Sequence, residues 1–85
     1  MNPRVVGVMP NNDFTLLLTF ENNEKKVFDV KPYMNKGIFK ELKDMSIFNT
    51  VKVKDGTVEW IHEQDFCPDT LYELSETYES EQDYK

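Results

Sequence analysis

Between Thr50 and Tyr72 a tight hairpin, a tryptophan and a proline-started helix follow one another without a linker, and the hairpin constrains the fold most. Asp55-Gly56 is a two-residue turn signal, because a type I′ turn needs positive φ at both central positions and Asp-Gly tolerates that. The turn sets the register. Pairing Lys54 with Thr57 puts Val53 opposite Val58 and Val51 opposite Trp60 on one face, with Lys52 opposite Glu59 on the other. Apolar meets apolar and plus meets minus, as a half-buried antiparallel hairpin requires. The same pairing places Trp60 in the core rather than leaving it free to stack on a ligand.

Upstream, Arg4 to Met9 is valine-rich and stops at Pro10, so it reads as a first strand, followed by the turn cluster Pro10-Asn11-Asn12-Asp13. Phe14 to Phe20 alternates with period two and reads as a second strand. Glu21-Asn22-Asn23-Glu24 leads into a third, Lys25 to Val30. A two-residue turn on Asn22-Asn23 would set Leu16 opposite Asp29. A three-residue loop sets Leu18 against Phe28 and Leu16 against Val30 and is preferred, because it keeps a carboxylate out of the core. Asp29 is placed to cap the turn carrying Pro32.

Ile38, Phe39 and Leu42 then lie at helical spacing, and Asp44 precedes a second short turn with Ile47 and Phe48. Both pieces are too short to stand alone and must fold by packing onto the sheet. Pro68 to Leu74 reads as a helix with proline and an acid in its first turn, Leu71 and Leu74 facing the core. From Ser75 on there is no aliphatic residue. Residues 1–74 are therefore expected to form a single domain and residues 75–85 an acidic tail without regular structure. The class is α+β: an antiparallel sheet of about five strands in two hairpins, with short helices packed on one face.

Eighty-five residues make one domain with one core, and six Phe, four Tyr and one Trp are too many for a disordered chain. No apolar run approaches a membrane span and the start lacks a signal-peptide pattern, so the expectation is a cytoplasmic protein with no membrane contact. The lone Cys67 fits a reducing compartment. Residues 1–62 hold eight acids and nine bases, net +1, whereas residues 63–85 hold eight acids and Lys85 alone, net −7. A total of −6 argues against generic nucleic-acid binding by this chain. Lys31, Lys36, Lys40 and Lys43 are close in sequence, but read as a solvated face rather than a phosphate site.

His62, Glu63, Asp65 and Cys67 form the one cluster of candidate metal ligands in the sequence. Structural zinc sites draw paired Cys or His ligands from two knuckles, and one sulfur with one imidazole in a single loop does not close a tetrahedron. The expectation is a surface loop with Cys67 half-buried at a helix start, and no metal or cofactor. Cys67 and His62 stand i, i+5 across a proline with no orienting third group, so no nucleophile–base pair is assigned. The HExxH pattern fails because its last position is Phe66, and three glycines leave no phosphate cradle. No catalytic residue is expected.

In order, Leu18-Thr19-Phe20-Glu21-Asn22, Val27-Phe28-Asp29-Val30, Asp55-Gly56-Thr57-Val58-Glu59-Trp60 and Pro68-Asp69-Thr70-Leu71-Tyr72 resemble a bacterial family catalogued as domain of unknown function 2442. The resemblance covers most of residues 4–74 and is most specific around Trp60 and Pro68 to Tyr72. It implies a small α+β domain with an antiparallel sheet and no catalytic activity, found alone or joined to a helix-turn-helix domain. It also implies gene pairs in which the partner is another small protein, reminiscent of toxin–antitoxin modules. Two departures stand out: Ile61-His62-Glu63-Gln64 replaces a glycine-containing turn after the tryptophan, and nothing beyond Leu74 supplies the helices of a helix-turn-helix. The expected function is a small bacterial protein-interaction module, the regulatory or antitoxin-like half of a two-gene system. Its partner would be a small protein encoded nearby, and the oligomeric state is open. The alternative is a small-molecule or metal-sensing domain with a pocket near Trp60 and His62.

Overall fold

A computed structural model describes residues 2–78. The chain is α+β. Four antiparallel strands form the main sheet: β1 (Val5–Pro10), β2 (Thr15–Phe20), β3 (Lys25–Asp29) and β6 (Glu76–Thr77), in the order β1-β2-β3-β6. The hairpin of β4 (Lys52–Lys54) and β5 (Thr57–Glu59) makes a second, two-stranded sheet. It is joined to the edge of β1 where Val5 N–H donates to the Gly56 carbonyl at 2.9 Å. Short 3-10 segments, Lys31–Tyr33 and Gly37–Lys43, and helices α1 (Met45–Phe48) and α2 (Pro68–Leu74) supply the remaining layer. Leu16, Leu18, Phe20 and Phe28 from the sheet meet Leu42, Phe48, Trp60 and Leu71 in one core.

Local chemistry explains the turns. Asp55 and Gly56 take φ of 52° and 82°, and the ladder pairs Lys52 with Glu59, Val53 with Val58 and Lys54 with Thr57. Gly56 has a second constraint: a Cβ there would lie 2.8 Å from Arg4 Cδ. Three other reversals share one geometry. In Asn12-Asp13-Phe14, Glu21-Asn22-Asn23 and Ile61-His62-Glu63, the residue before the loop donates to the carbonyl of the residue after it, each at 2.9 Å. The third loop residue donates back and adopts positive φ: 65° at Phe14, 73° at Asn23 and 70° at Glu63. These are three-residue loops ending in a left-handed residue.

The β2–β3 loop is thus three residues long, as expected, but sits one position earlier. Leu16 faces Phe28 and Leu18 faces Lys26, not Val30 and Phe28. Asn23 decides this, because it accepts the left-handed conformation, while the Asn22 side chain accepts from Glu24 N–H at 3.1 Å. The shift moves the register by two, so the faces are conserved. Lys26 consequently lands on the core side, where its stem runs under α2 and its amine donates to the Tyr72 carbonyl at 2.6 Å.

Two apolar positions are corrected. Ile38 is 58% exposed because Gly37–Lys43 winds as a 3-10 helix, whose three-residue turn aligns Phe39 with Leu42 and rotates Ile38 away. Leu74 is 59% exposed, since α2 ends there and spends its inward face on Leu71 and on Tyr72, which meets Phe20 edge-on at 5.0 Å. The expected tail boundary also moves. Ser75 is buried, Glu76 and Thr77 pair with Val27 and Lys26, and Tyr78 N–H donates to the Lys25 carbonyl at 3.0 Å. The remainder of the tail, residues 79–85, lies outside the described residues.

Glu63 stands where a glycine would be free of the left-handed cost. Glu63→Gly is expected to stabilise the fold by about 0.5–1 kcal/mol, raising Tm by a few degrees. Thermal melts of the two proteins check this, and a lower Tm for the variant would contradict the loop geometry.

Candidate functional site

The helices all gather on one side of the main sheet, which leaves its other face open among the described residues. Cross-strand register lays out what that face presents. Met9, Leu17 and Val27 stand in one row across β1, β2 and β3, ending on Glu76 of β6. The neighbouring row is Gly7, Thr19 and Lys25, continued by Tyr78. Met9 is 58% exposed and Tyr78 44%, while Leu17 and Val27 are half-buried between their strand neighbours. Gly7 keeps the surface flat, with Thr19 directly beside it. The row is apolar surface left uncovered among the described residues, whereas packed layers usually bury such faces.

The strand edge at β1 is protected by contrast. A bulge interrupts the ladder between Val5 and Gly7, Pro10 has no N–H, and Val5 N–H is already used by Gly56. These features discourage strand addition.

The loop after β5 does not assemble a metal centre. His62 Nδ1 lies 2.6 Å from Glu41 Oε1 on the Gly37–Lys43 segment, and both side chains are exposed. Glu63 tops the loop, Asp65 pairs across to Glu59, and Cys67 is exposed rather than half-buried as the N-cap of α2. Among the described residues no three His, Cys, Asp or Glu side chains are grouped to hold a metal. What the loop does bring inward is Gln64 and Phe66. Gln64 is fully buried, and its Nε2 donates to the Ile38 carbonyl and to Glu41 Oε1, both at 3.1 Å. Its Oε1 has no partner among the described residues. Phe66 contacts Phe28, Tyr33 and Phe39 with ring centroids 5.0–5.1 Å away. The sequence offered no signal for either, because most of the partners that bury them, Ile38 and Glu41 for Gln64 and Phe28, Tyr33 and Phe39 for Phe66, lie more than 20 residues away.

Trp60 is buried, and its Nε1 donates to the Phe48 carbonyl at 2.9 Å, so its polar edge is occupied as well as its rings. Beside the hairpin, Lys54, Asp55, Thr57, Glu59 and Asp65 line an open pocket of about 90 Å³, below the range of small-molecule sites. Of the sequence's lysine group, Lys31 is held by Asp29 at 3.0 Å and by the Asp13 carbonyl at 3.1 Å. Lys36, Lys40 and Lys43 are exposed on and beside the second 3-10 segment.

Three exposed carboxyls titrate below their ordinary range because their charged forms are hydrogen-bonded. Asp13 and Asp44 accept from the Thr15 and Ser46 side chains, and Glu24 accepts from the Tyr72 hydroxyl, which is raised in turn. With folded values depressed, their contribution to stability is present above the ordinary carboxylate range and is lost as pH falls through the lowered values. The Glu24–Tyr72 contact ties α2 to the β2–β3 loop, next to Lys26, whose amine lies 3.9 Å from the Tyr72 ring centroid.

A small antiparallel sheet with helices on one face and an apolar row on the other defines a compact α+β domain whose open surface is its sheet. Residues 5–77 match the family model described as "Protein of unknown function (DUF2442)", and the chain belongs to that family. The matched span runs from the first residue of β1 to the last of β6. Comparison with curated proteins and with solved structures returns no match. No helix among the described residues is long and apolar enough to cross a membrane.

Proposed function

We propose that this chain is a small bacterial protein-interaction module acting in the cytoplasm, the regulatory, antitoxin-like half of a two-gene system. The observation that supports this reading is the open sheet face with its cross-strand row Met9, Leu17, Val27. Such a row lowers its free energy by contact with another protein layer. No enzymatic role is part of the reading, since the side chains with hydrogen-bonding chemistry join pieces of the fold. His62 and Gln64 secure the post-tryptophan loop to the 3-10 segment through Glu41, and Tyr72 secures α2.

The test is co-expression with the small protein encoded beside it, followed by size-exclusion chromatography with light scattering. A stable complex, together with relief of any growth defect the neighbour causes alone, is the expected result. Separate elution of the two chains at concentrations of about 100 μM would overturn the reading, because specific complexes populate well below that level.

A further inference from the structure

The main sheet is closed at one side by the bulged, hairpin-bonded strand β1 and at the other by the two residues of β6. Under β6 lies β3, regular along Lys25–Asp29. The ladder decides which of its groups face outward. Phe20 N–H donates to the Glu24 carbonyl and Val30 N–H to the Phe14 carbonyl, so by alternation Lys26 and Phe28 bond toward β2, and Lys25, Val27 and Asp29 point away from it. Tyr78 N–H takes the Lys25 carbonyl at 3.0 Å, and the same alternation sets Glu76 N–H on the Val27 carbonyl. Side chains add little to this attachment. Glu76 and Thr77 are exposed, and Glu76 places a carboxylate beside Val27 at the end of the apolar row. The firm anchorage lies before the strand: Lys26 and Tyr72 hold α2, and Ser75 is buried with its hydroxyl donating to the Tyr72 carbonyl at 3.3 Å. Residues 76–78 can therefore lift about Ser75 while α2 stays in place.

We infer that β6 is a displaceable strap, and that an extended segment of another protein takes its place on the outward edge of β3. This rests on the reading of the chain as an interaction module and names the surface and the partner's chemistry. β6 itself shows what the edge accepts, an antiparallel main chain bonded at Val27 and Lys25. The replacing segment improves on it with a β-branched residue at the Glu76 position, beside Val27, and an acid at the Tyr78 position, beside Lys25. A second copy of this chain brings the same Glu76 and a charge of −6, so it gains no side-chain match and is repelled. At β1 the bulge and Pro10 oppose the same mode of binding.

The experiment uses NMR on the ¹⁵N-labelled full chain. Hydrogen exchange comes first: Val27, Glu76 and Tyr78 amides should be protected at least about tenfold less than Lys26 and Phe28, because lifting the strap frees the first group alone. A short synthetic peptide with valine and glutamate two positions apart is then titrated in two forms. One is N-methylated at those two residues, whose N–H groups would face β3, and the other at the alternate residues, whose N–H groups face away. Only the second should bind, shifting the amides of Lys25, Val27, Glu76 and Tyr78. Glu76→Pro removes one N–H aimed at β3 and should tighten peptide binding at least about threefold, because the tethered competitor is weakened. Tyr78→Pro gives the same readout if the first variant fails to fold.

Val27 and Tyr78 amides protected as strongly as Lys26 and Phe28 would make β6 a fixed part of the sheet and overturn the inference. Binding by neither peptide form, equal binding by both, or unchanged affinity in the proline variants would do the same. So would concentration-dependent dimerisation through the β6 amides, which would make a second copy the occupant. If the neighbouring gene product binds the chain yet leaves the Val27 and Tyr78 amides unmoved, strand exchange is wrong while the interaction reading stands. If wild-type chain and neighbour form no complex, the interaction reading fails whatever the peptides show.

Discussion

Trp60→Ala is expected to lower stability by about 3–5 kcal/mol, the range for truncating a core aromatic, against a total of about 5–15 kcal/mol for a domain of this class. The indole is 1% exposed and touches two other rings, Phe48 and Phe66, with centroids 5.9 and 6.0 Å away. Its removal opens a cavity at the junction of the hairpin, α1 and the loop leading to α2. It also strips the Phe48 carbonyl of the indole N–H. Trp60→Phe separates the two effects: it retains most of the volume and loses the hydrogen bond, at a cost of about 1–3 kcal/mol. Urea unfolding of the three proteins measures both steps. An unchanged midpoint for the alanine variant would remove Trp60 from the core and reopen a ligand-stacking role.

That tryptophan could be placed from sequence because its environment is set locally. Asp55-Gly56 permits one turn type, the turn fixes the ladder, and the ladder decides that Val58 and Trp60 share a face. Asp29 stands at the Pro32 turn as expected and accepts from Lys31 N–H at 3.0 Å, although the residue at the N-cap of that 3-10 segment is Val30; at α1 the N-cap is Asp44, whose carboxylate accepts from Ser46 N–H at 3.0 Å. The β2–β3 register shows the limit of local reasoning. Registers two residues apart put the same side chains on the same faces, so alternation alone cannot separate them. The conformation of Asn23 decided it.

The strand β6 escaped for a different reason. Glu76 and Thr77 are exposed and polar, and what attaches them to β3 is backbone hydrogen bonding, which leaves no mark in the side-chain pattern. The open sheet face was half readable. Leu17 and Val27 alternate away from the core residues of their strands, but that Met9 completes the row depends on the β1–β2 register, which follows the three-residue loop ending at Phe14. Phe14 carries its left-handed φ at a position few sequence rules would allow, supported by its edge-on contact with Phe48 at 5.2 Å.

Phe66→Ala is the other substitution expected to cost about 3–5 kcal/mol, at a position that sequence patterning treats as loop. Phe66 is 8% exposed and touches rings from four separate segments: Phe28 on β3, Tyr33 and Phe39 on the two 3-10 segments, and Trp60 after β5. The backbone there is held as well, since its carbonyl accepts from the buried Thr57 hydroxyl at 2.6 Å. The side chain is thus the common neighbour through which helical connections, sheet and hairpin bury one another. Phe66→Leu keeps much of the apolar volume and should cost about half as much. A double-mutant cycle with Phe39→Leu, whose ring is stacked on Phe66 at 5.0 Å, should show coupling of about 0.5–1.5 kcal/mol, the range for aromatic pairs. Strictly additive costs would mean that the two rings act only as independent apolar volume. A stable Phe66→Ala protein with an unchanged midpoint would place the loop outside the core, and with it the packing that seats Gln64 and the start of α2.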